Sequence, residues 1–182
     1  FSDITWDVIN LSYKIFTIRN SEEIEDHYLP HHSAATLLEN LVAINDYDVV
    51  ELILGQITEL LGTNVPLNID NALILFYCIL DTRKPENKEK LAAMLTESYN
   101  TIIGYISHES QAIKITTAKI ISKVAKKYFL FLNELTKDLL LDTILKTLDI
   151  NFKPIQIYSL RALINMANNF ELMMDSSKFF II

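Results

Sequence analysis

Four groups of side chains in this chain have types and spacings that could do chemistry. The first is the acidic stretch Glu22, Glu23, Glu25 and Asp26 within "NSEEIEDHYLP". Carboxylates clustered on a concave surface focus negative potential and speed the capture of a basic partner. On an open loop the same residues are only solvated charge. The second is "HYLPHH" (27–32), which gathers His27, His31 and His32 beside Asp26. Two or three histidines with a carboxylate can bind zinc when rigid elements hold them. Here Pro30 breaks the segment, and apart from His108 no other histidine is present to complete a set, so a polar entry to a helix is expected and no metal. The third is Cys78, flanked by apolar residues and without a histidine placed beside it, which reads as a core or half-buried thiol. The fourth is the set of phenylalanines Phe16, Phe76, Phe129, Phe131 and Phe152, which could line pockets for aromatic ligands but at these spacings suit a core.

Catalytic signatures are missing. There is no G-x-S-x-G, no P-loop and no G-x-G-x-x-G, and with 3 glycines in 182 residues a phosphate-cradling loop is not expected. The sequence therefore predicts a protein that binds rather than one that catalyses, with no cofactor. A formal net charge of −7 opposes direct nucleic-acid binding. Arg83-Lys84 and Lys126-Lys127 are isolated basic pairs, placed where the C-terminal ends of helices favour cations.

The elements that would hold such groups are helices. Half of the residues are hydrophobic, while only 3 glycines and 4 prolines punctuate the chain, too few for an all-β fold. The longest apolar run, Ala72 to Leu80, is far short of the roughly 20 residues that span a bilayer, so no membrane insertion is expected. The opening "FSDITWDVINLSYK" lacks the pattern of a signal peptide, and one cysteine excludes an internal disulfide framework, which suits the cytoplasm or nucleus.

The apolar run also belongs to a repeat. Taking small residues Ala34, Ala72, Thr117 and Ser159 as anchors, offset +3 holds Leu37, Leu75, Ile120 and Ala162. Offset +4 holds Leu38, Phe76, Ile121 and Leu163; offset +7 holds Leu41, Ile79, Val124 and Met166; offset +8 holds Val42, Leu80, Ala125 and Ala167. These offsets mark one face of a helix. Partner helices are predicted at 2–19, 46–62, 85–106 and 133–150, joined to the anchored ones by "NVPLNID", "SHESQ" and "NFKP" where the sequence shows a turn. Four antiparallel helix pairs of about 40 residues fall in the HEAT/armadillo range. The expected architecture is an all-α HEAT-repeat solenoid with repeats at 2–45, 46–82, 85–128 and 133–170, and a further repeat starting at 171–182. The apolar end "SSKFFII" points to a segment of a longer solenoid. Offsets +2, +5 and +6 of each anchored helix would line its concave side: Thr36, Glu39 and Asn40; Ile74, Tyr77 and Cys78; Lys119, Ser122 and Lys123; Arg161, Ile164 and Asn165.

In order, these helices resemble the middle of the karyopherin-β (importin-β) family of nuclear import receptors. "NSEEIEDHYLPHHSAATLL" is similar to the family's acidic stretch followed by a proline and a small-residue helix start. "DNALILFYCILD" resembles its Asp-Ala-Ala and Phe-Gly-Cys-Ile-Leu-Glu helix, "KITTAKIISKVAK" the helix built on Arg-Asp-Thr-Ala-Ala, and "YSLRALINMANN" the one ending Ser-Ser-Leu-Ala. The resemblance covers about residues 20–170. It implies shuttling between cytoplasm and nucleus with three partners: cargo or an importin-α-like adaptor, Ran GTPase, and Phe-Gly nucleoporins between outer helices. It also implies that Glu22, Glu23, Glu25 and Asp26 contact Ran in its GTP form and a basic cargo segment. At the positions of three family tryptophans that stack on arginines of the importin-α segment this chain has Leu29, Lys119 and Arg161. A cationic side chain does not stack favourably on a guanidinium, so Lys119 and Arg161 are expected to set a different inner-face specificity. A HEAT scaffold of another complex, of phosphatase or coat type, would share the repeat without this ordered match, and a small helical metalloenzyme would need the histidines of 27–32.

Overall fold

The computed structural model describes residues 30–44, 47–83 and 85–178, and all of their regular structure is helical. Seven α-helices follow one another: α1 Pro30–Ile44, α2 Tyr47–Gly62, α3 Pro66–Ile79, α4 Pro85–Gly104, α5 Gln111–Lys127, α6 Glu134–Leu148 and α7 Lys153–Lys178. Single 3₁₀ turns follow α4 (Tyr105–Ser107) and α5 (Phe129–Phe131). The predicted first partner helix (2–19) lies outside the described residues.

The helices form two layers. In the inner layer α1, α3, α5 and α7 pack side by side in chain order; α2 and α6 pack behind α3 and α7, and α4 lies in the outer layer between them. This is a stack of antiparallel pairs, the HEAT-repeat solenoid that the periodicity predicts.

Three of the four anchors sit where neighbouring helices meet; the surroundings of Ala34 lie outside what the structure describes. Ala72, Thr117 and Ser159 are buried, and a small residue at each lets the adjacent backbone approach. Most of the predicted stripe is buried with them; Leu37, 46% exposed, and Ala167 are the departures. They lie on α1 and α7, which among the described residues have an inner neighbour on one side only. By contrast α3 has α1 and α5 on its flanks and α2 behind it. That is why "NALILFYCI" is apolar nearly all round and buries nine residues of a 14-residue helix.

Local chemistry sets the boundaries. Pro66 opens α3 at its first turn, where a missing N–H costs nothing, so the linker shrinks to Thr63–Val65 and most of the predicted turn "NVPLNID" is helical. The reversal is made by Asn64 in the left-handed region (φ 53°). The Asn133 side chain accepts the Thr136 N–H at 2.8 Å and caps α6, and Glu134 complements the dipole in the first turn. At the other end α7 runs 26 residues through Lys178, so residues 171–178 continue the fourth anchored helix and do not open a new one.

A ladder of side chains joins the inner helices. The Cys78 thiol donates to Ala35 O at 3.7 Å, Lys123 Nζ to Tyr77 O at 2.9 Å, Tyr128 Oη to Leu80 O at 3.3 Å, and Asn169 Nδ2 to Ala125 O at 2.8 Å. Each bond spans 43 to 48 residues, close to the spacing of the anchors, so each joins a helix to the one a repeat earlier. Deeper in the stack the Thr116 hydroxyl donates to Asp70 Oδ1 at 2.8 Å.

Candidate partner-binding groove

On the open side of the inner layer α1, α3, α5 and α7 enclose a groove of about 500 Å³. Eight of the twelve residues predicted for the concave face line it: Glu39, Tyr77, Lys119, Ser122, Lys123, Arg161, Ile164 and Asn165. Cys78 does not. Its offset turns it against α1 and it is fully buried, where burial pushes its thiol pKa well above the ordinary 9.0. It is inert packing, as the sequence suggests.

Lys123 shows what stacking does to a charge. Offset +6 on α5 points at the preceding inner helix, so this lysine is only 8% exposed. Its ammonium is 2.9 Å from Glu39 Oε1, is hydrogen-bonded to Asp81 Oδ2, and lies 3.5 Å from the centroid of the Tyr77 ring. Asp81 also pairs with Lys127. The acidic first repeat and basic later repeats, separate in the sequence, thus meet in one network. Buried charge survives only when paired and hydrogen-bonded, and this one is both.

The network titrates asymmetrically. Burial would depress the Lys123 ammonium, but Tyr77, Asp81 and Glu39 outweigh it and raise its pKa above 10.5. Burial would also raise Asp81, yet hydrogen bonds from Lys123 and Lys127 hold it below 3.8. For Glu39 burial dominates over Lys123, and its pKa rises above 4.5. The signs follow by linkage. Asp81 contributes stability above its unfolded value that is lost as pH falls through its depressed pKa. Lys123 contributes stability that is lost only as pH rises through its raised one. Glu39 does the reverse of Asp81, its ionisation opposing folding at neutral pH. On acidification Glu39 is therefore expected to protonate first and Asp81 last, an order readable from carboxyl ¹³C shifts. Asp81 protonating at or above the pH of Glu39 would contradict this account.

Lys119 and Arg161 are brought together. Lys119 Nζ is 5.8 Å and the Arg161 guanidinium 5.4 Å from the centroid of Tyr158, whose ring attracts both cations. Glu22, Glu23, Glu25 and Asp26, with Leu29 and His27, lie outside the described residues. Pro30 begins α1, with His31 and His32 in its first turn. His108 serves a turn, its Nδ1 accepting the Ser110 N–H at 3.0 Å. Among the described residues no three His, Cys, Asp or Glu side chains gather as a metal site. Nor is any described helix long and apolar enough to cross a membrane.

The sequence reading missed Asp81. A signal was present: Tyr77 and Asp81 stand 46 residues before Lys123 and Lys127, one repeat apart on neighbouring helices.

Stacked pairs, a buried anchor stripe and a cross-repeat ladder define the HEAT class of α-solenoid. Within that class the chain superposes on importin-β. It matches a structure of importin-β grown in ammonium sulfate with TM-score 0.80 and 17% identity, over 91% of this chain and 19% of that one. It also matches the structure in which Kap95p binding induces the switch loops of RanGDP to adopt the GTP-bound conformation, with TM-score 0.79 and 17% identity, over 90% of this chain and 19% of the matched one. The chain thus spans about a fifth of the structures it matches, and the likeness is one of fold. No protein-family profile matches the sequence, and no curated protein sequence does.

Proposed function

We propose that this stretch of solenoid works in an importin-β-like nuclear transport receptor, moving between cytoplasm and nucleus and acting by binding. The fold likeness to importin-β over nine-tenths of the chain carries this reading. The groove spans all four inner helices, so a cargo or importin-α-like adaptor held there contacts several repeats at once. Lys119 and Arg161 are its specificity residues. The acidic stretch Glu22, Glu23, Glu25 and Asp26 is assigned to Ran GTPase and a basic cargo segment. A curved stack of this kind releases cargo when a second ligand binds a different curvature more tightly.

The outer layer offers a complementary feature. Leu54, Ile57, Leu73, Phe76, Met94 and Ile102 line an apolar cavity of about 270 Å³ between α2 and α4 over α3. We assign it to the phenylalanine of a Phe-Gly nucleoporin. Of the phenylalanines singled out in the sequence, Phe76 lines this cavity, Phe129 is core and Phe131 is exposed.

Calorimetry of the 182-residue chain with Ran loaded with GTP or GDP tests the reading. Binding of the GTP form at micromolar concentration, with weaker binding of the GDP form, is expected. Absence of binding to Ran·GTP overturns it.

A further inference from the structure

Among the described residues the last inner helix lacks the cover that the earlier ones have. On α5 the positions at offsets −2, +1, +5 and +8 from the anchor are Ile115, Ala118, Ser122 and Ala125, and all four are buried where α7 packs alongside. On α7 the same offsets hold Ile157, Leu160, Ile164 and Ala167, and here they are open. The first three are 39%, 52% and 60% exposed. At about 100° per residue these four share one flank of α7, opposite the flank whose Tyr158 and Asn169 reach α5. On α6 Leu141 and Leu145 are exposed on the flank away from Leu139, which packs into the core. The end of the stack thus presents an apolar face made of two helices. Residues 179–182 do not reach it, because α7 is helical through Lys178, about 21 Å along the axis from Ile164, and four residues span at most about 14 Å. We infer that this face pairs with the same face of a second copy of this chain across a two-fold axis. The inference does not depend on the transport reading.

Register favours a second copy. The contact continues the stack, setting a helix against α7 where α7 itself lies against α5. Along α7, Ile157 and Ala167 are equidistant from Ala162, and so are Leu160 and Ile164. Along α6, Leu141 and Leu145 are equidistant from Thr143. Two bonds fix how α6 lies beside α7: Thr147 Oγ1 and Ser159 Oγ are 2.7 Å apart, and Gln156 Nε2 donates to Leu148 O at 3.2 Å. Three residues on from Ser159 is Ala162, and three back from Thr147 is Ile144. Six on from Gln156 is again Ala162, and six back from Leu148 is Asp142. The level of Ala162 therefore crosses α6 between Asp142 and Ile144, at Thr143. Either stripe alone is symmetric by helical spacing, but nothing in that spacing dictates a shared centre on two helices. One two-fold axis through both centres sets Leu160 of each copy against Ile164 of the other, the large Ile157 against the small Ala167, and Leu141 against Leu145. A partner of different sequence has no use for that symmetry. The face is about 20 Å wide and about 22 Å long over the 15 residues of α6, which suits a reversible dimer and not an obligate one. Repulsion between copies of formal charge −7 acts in the same direction.

Sedimentation velocity of the 182-residue chain over roughly 1–100 µM tests this. Rising concentration is expected to convert monomer to dimer and to nothing larger, and added salt to tighten the dimer by screening the repulsion between copies. Leu160→Glu with Ile164→Glu is expected to weaken association at least about tenfold while leaving the circular dichroism spectrum unchanged. Leu160→Lys with Ile164→Lys should do the same. Because the axis sets position 160 of one copy against position 164 of the other, an equimolar mixture of these two variants should associate more tightly than either alone. Leu145→Glu on α6 gives an independent second reading if those variants fold poorly. A chain that is monomeric at every concentration, growth beyond the dimer, unchanged association in the folded variants, or a mixture no tighter than its components overturns the inference.

Discussion

Phe129→Ala is expected to destabilise the chain by about 4 kcal/mol, the usual cost of removing a fully buried phenylalanine. Phe129 sits in the 3₁₀ turn that ends α5, with no exposure to solvent. Its ring meets Phe170 of α7 edge to face at 4.9 Å, and Lys137 of α6 lies 5.4 Å from its centroid. One side chain thus ties the end of the third pair to both helices of the fourth. Because stability in a solenoid is nearly a sum of local and nearest-neighbour contributions, the loss should be concentrated there. Hydrogen exchange should accelerate across 134–170 while α3 keeps its protection. A variant that loses less than about 1 kcal/mol in urea titration, or opens uniformly, would show that Phe129 is not this tie.

Lys123→Met should follow at about 2–3 kcal/mol, below the full cost of breaking a buried pair because Asp81 and Glu39 keep some solvent. Their side chains are 18% and 27% exposed. The substitution keeps the length of the side chain and the packing on Tyr77 but leaves two carboxylates and the Tyr77 carbonyl without their shared donor. Adding Glu39→Gln and Asp81→Asn should recover most of the loss, since it removes the two orphaned carboxylates and leaves only Lys127, 30% exposed, to turn to solvent. The cycle of single and combined variants gives the coupling directly. Equal stability of Lys123→Met with and without those two changes would refute the network.

The fold was legible because its determinant is a local pattern. Small anchors with apolar residues at +3, +4, +7 and +8 state which face a helix hides, and Ala72, Thr117 and Ser159 are buried as that pattern requires. Leu37 reads the same in sequence but stays half exposed, because burial depends on how many neighbours a helix has and a single helix does not encode that. Pro66 looked like a turn residue and proved to be a helix start, the same residue serving either role. The lining of the groove was mostly readable from the offsets, and Lys119 and Arg161 do share it. The pairing of Lys123 with Glu39 and Asp81 was not, since it joins three repeats over 84 and 42 residues. Only knowledge of which helices stand side by side brings such distant charges together.

The borrowed carbonyls of Ala35, Tyr77, Leu80 and Ala125 fix the inner edge of this stack at a set rung-to-rung distance. The opposite edge carries the apolar cavity between α2 and α4. Filling or closing that cavity would therefore shift α2 against α4 while the hydrogen-bonded margin keeps its length.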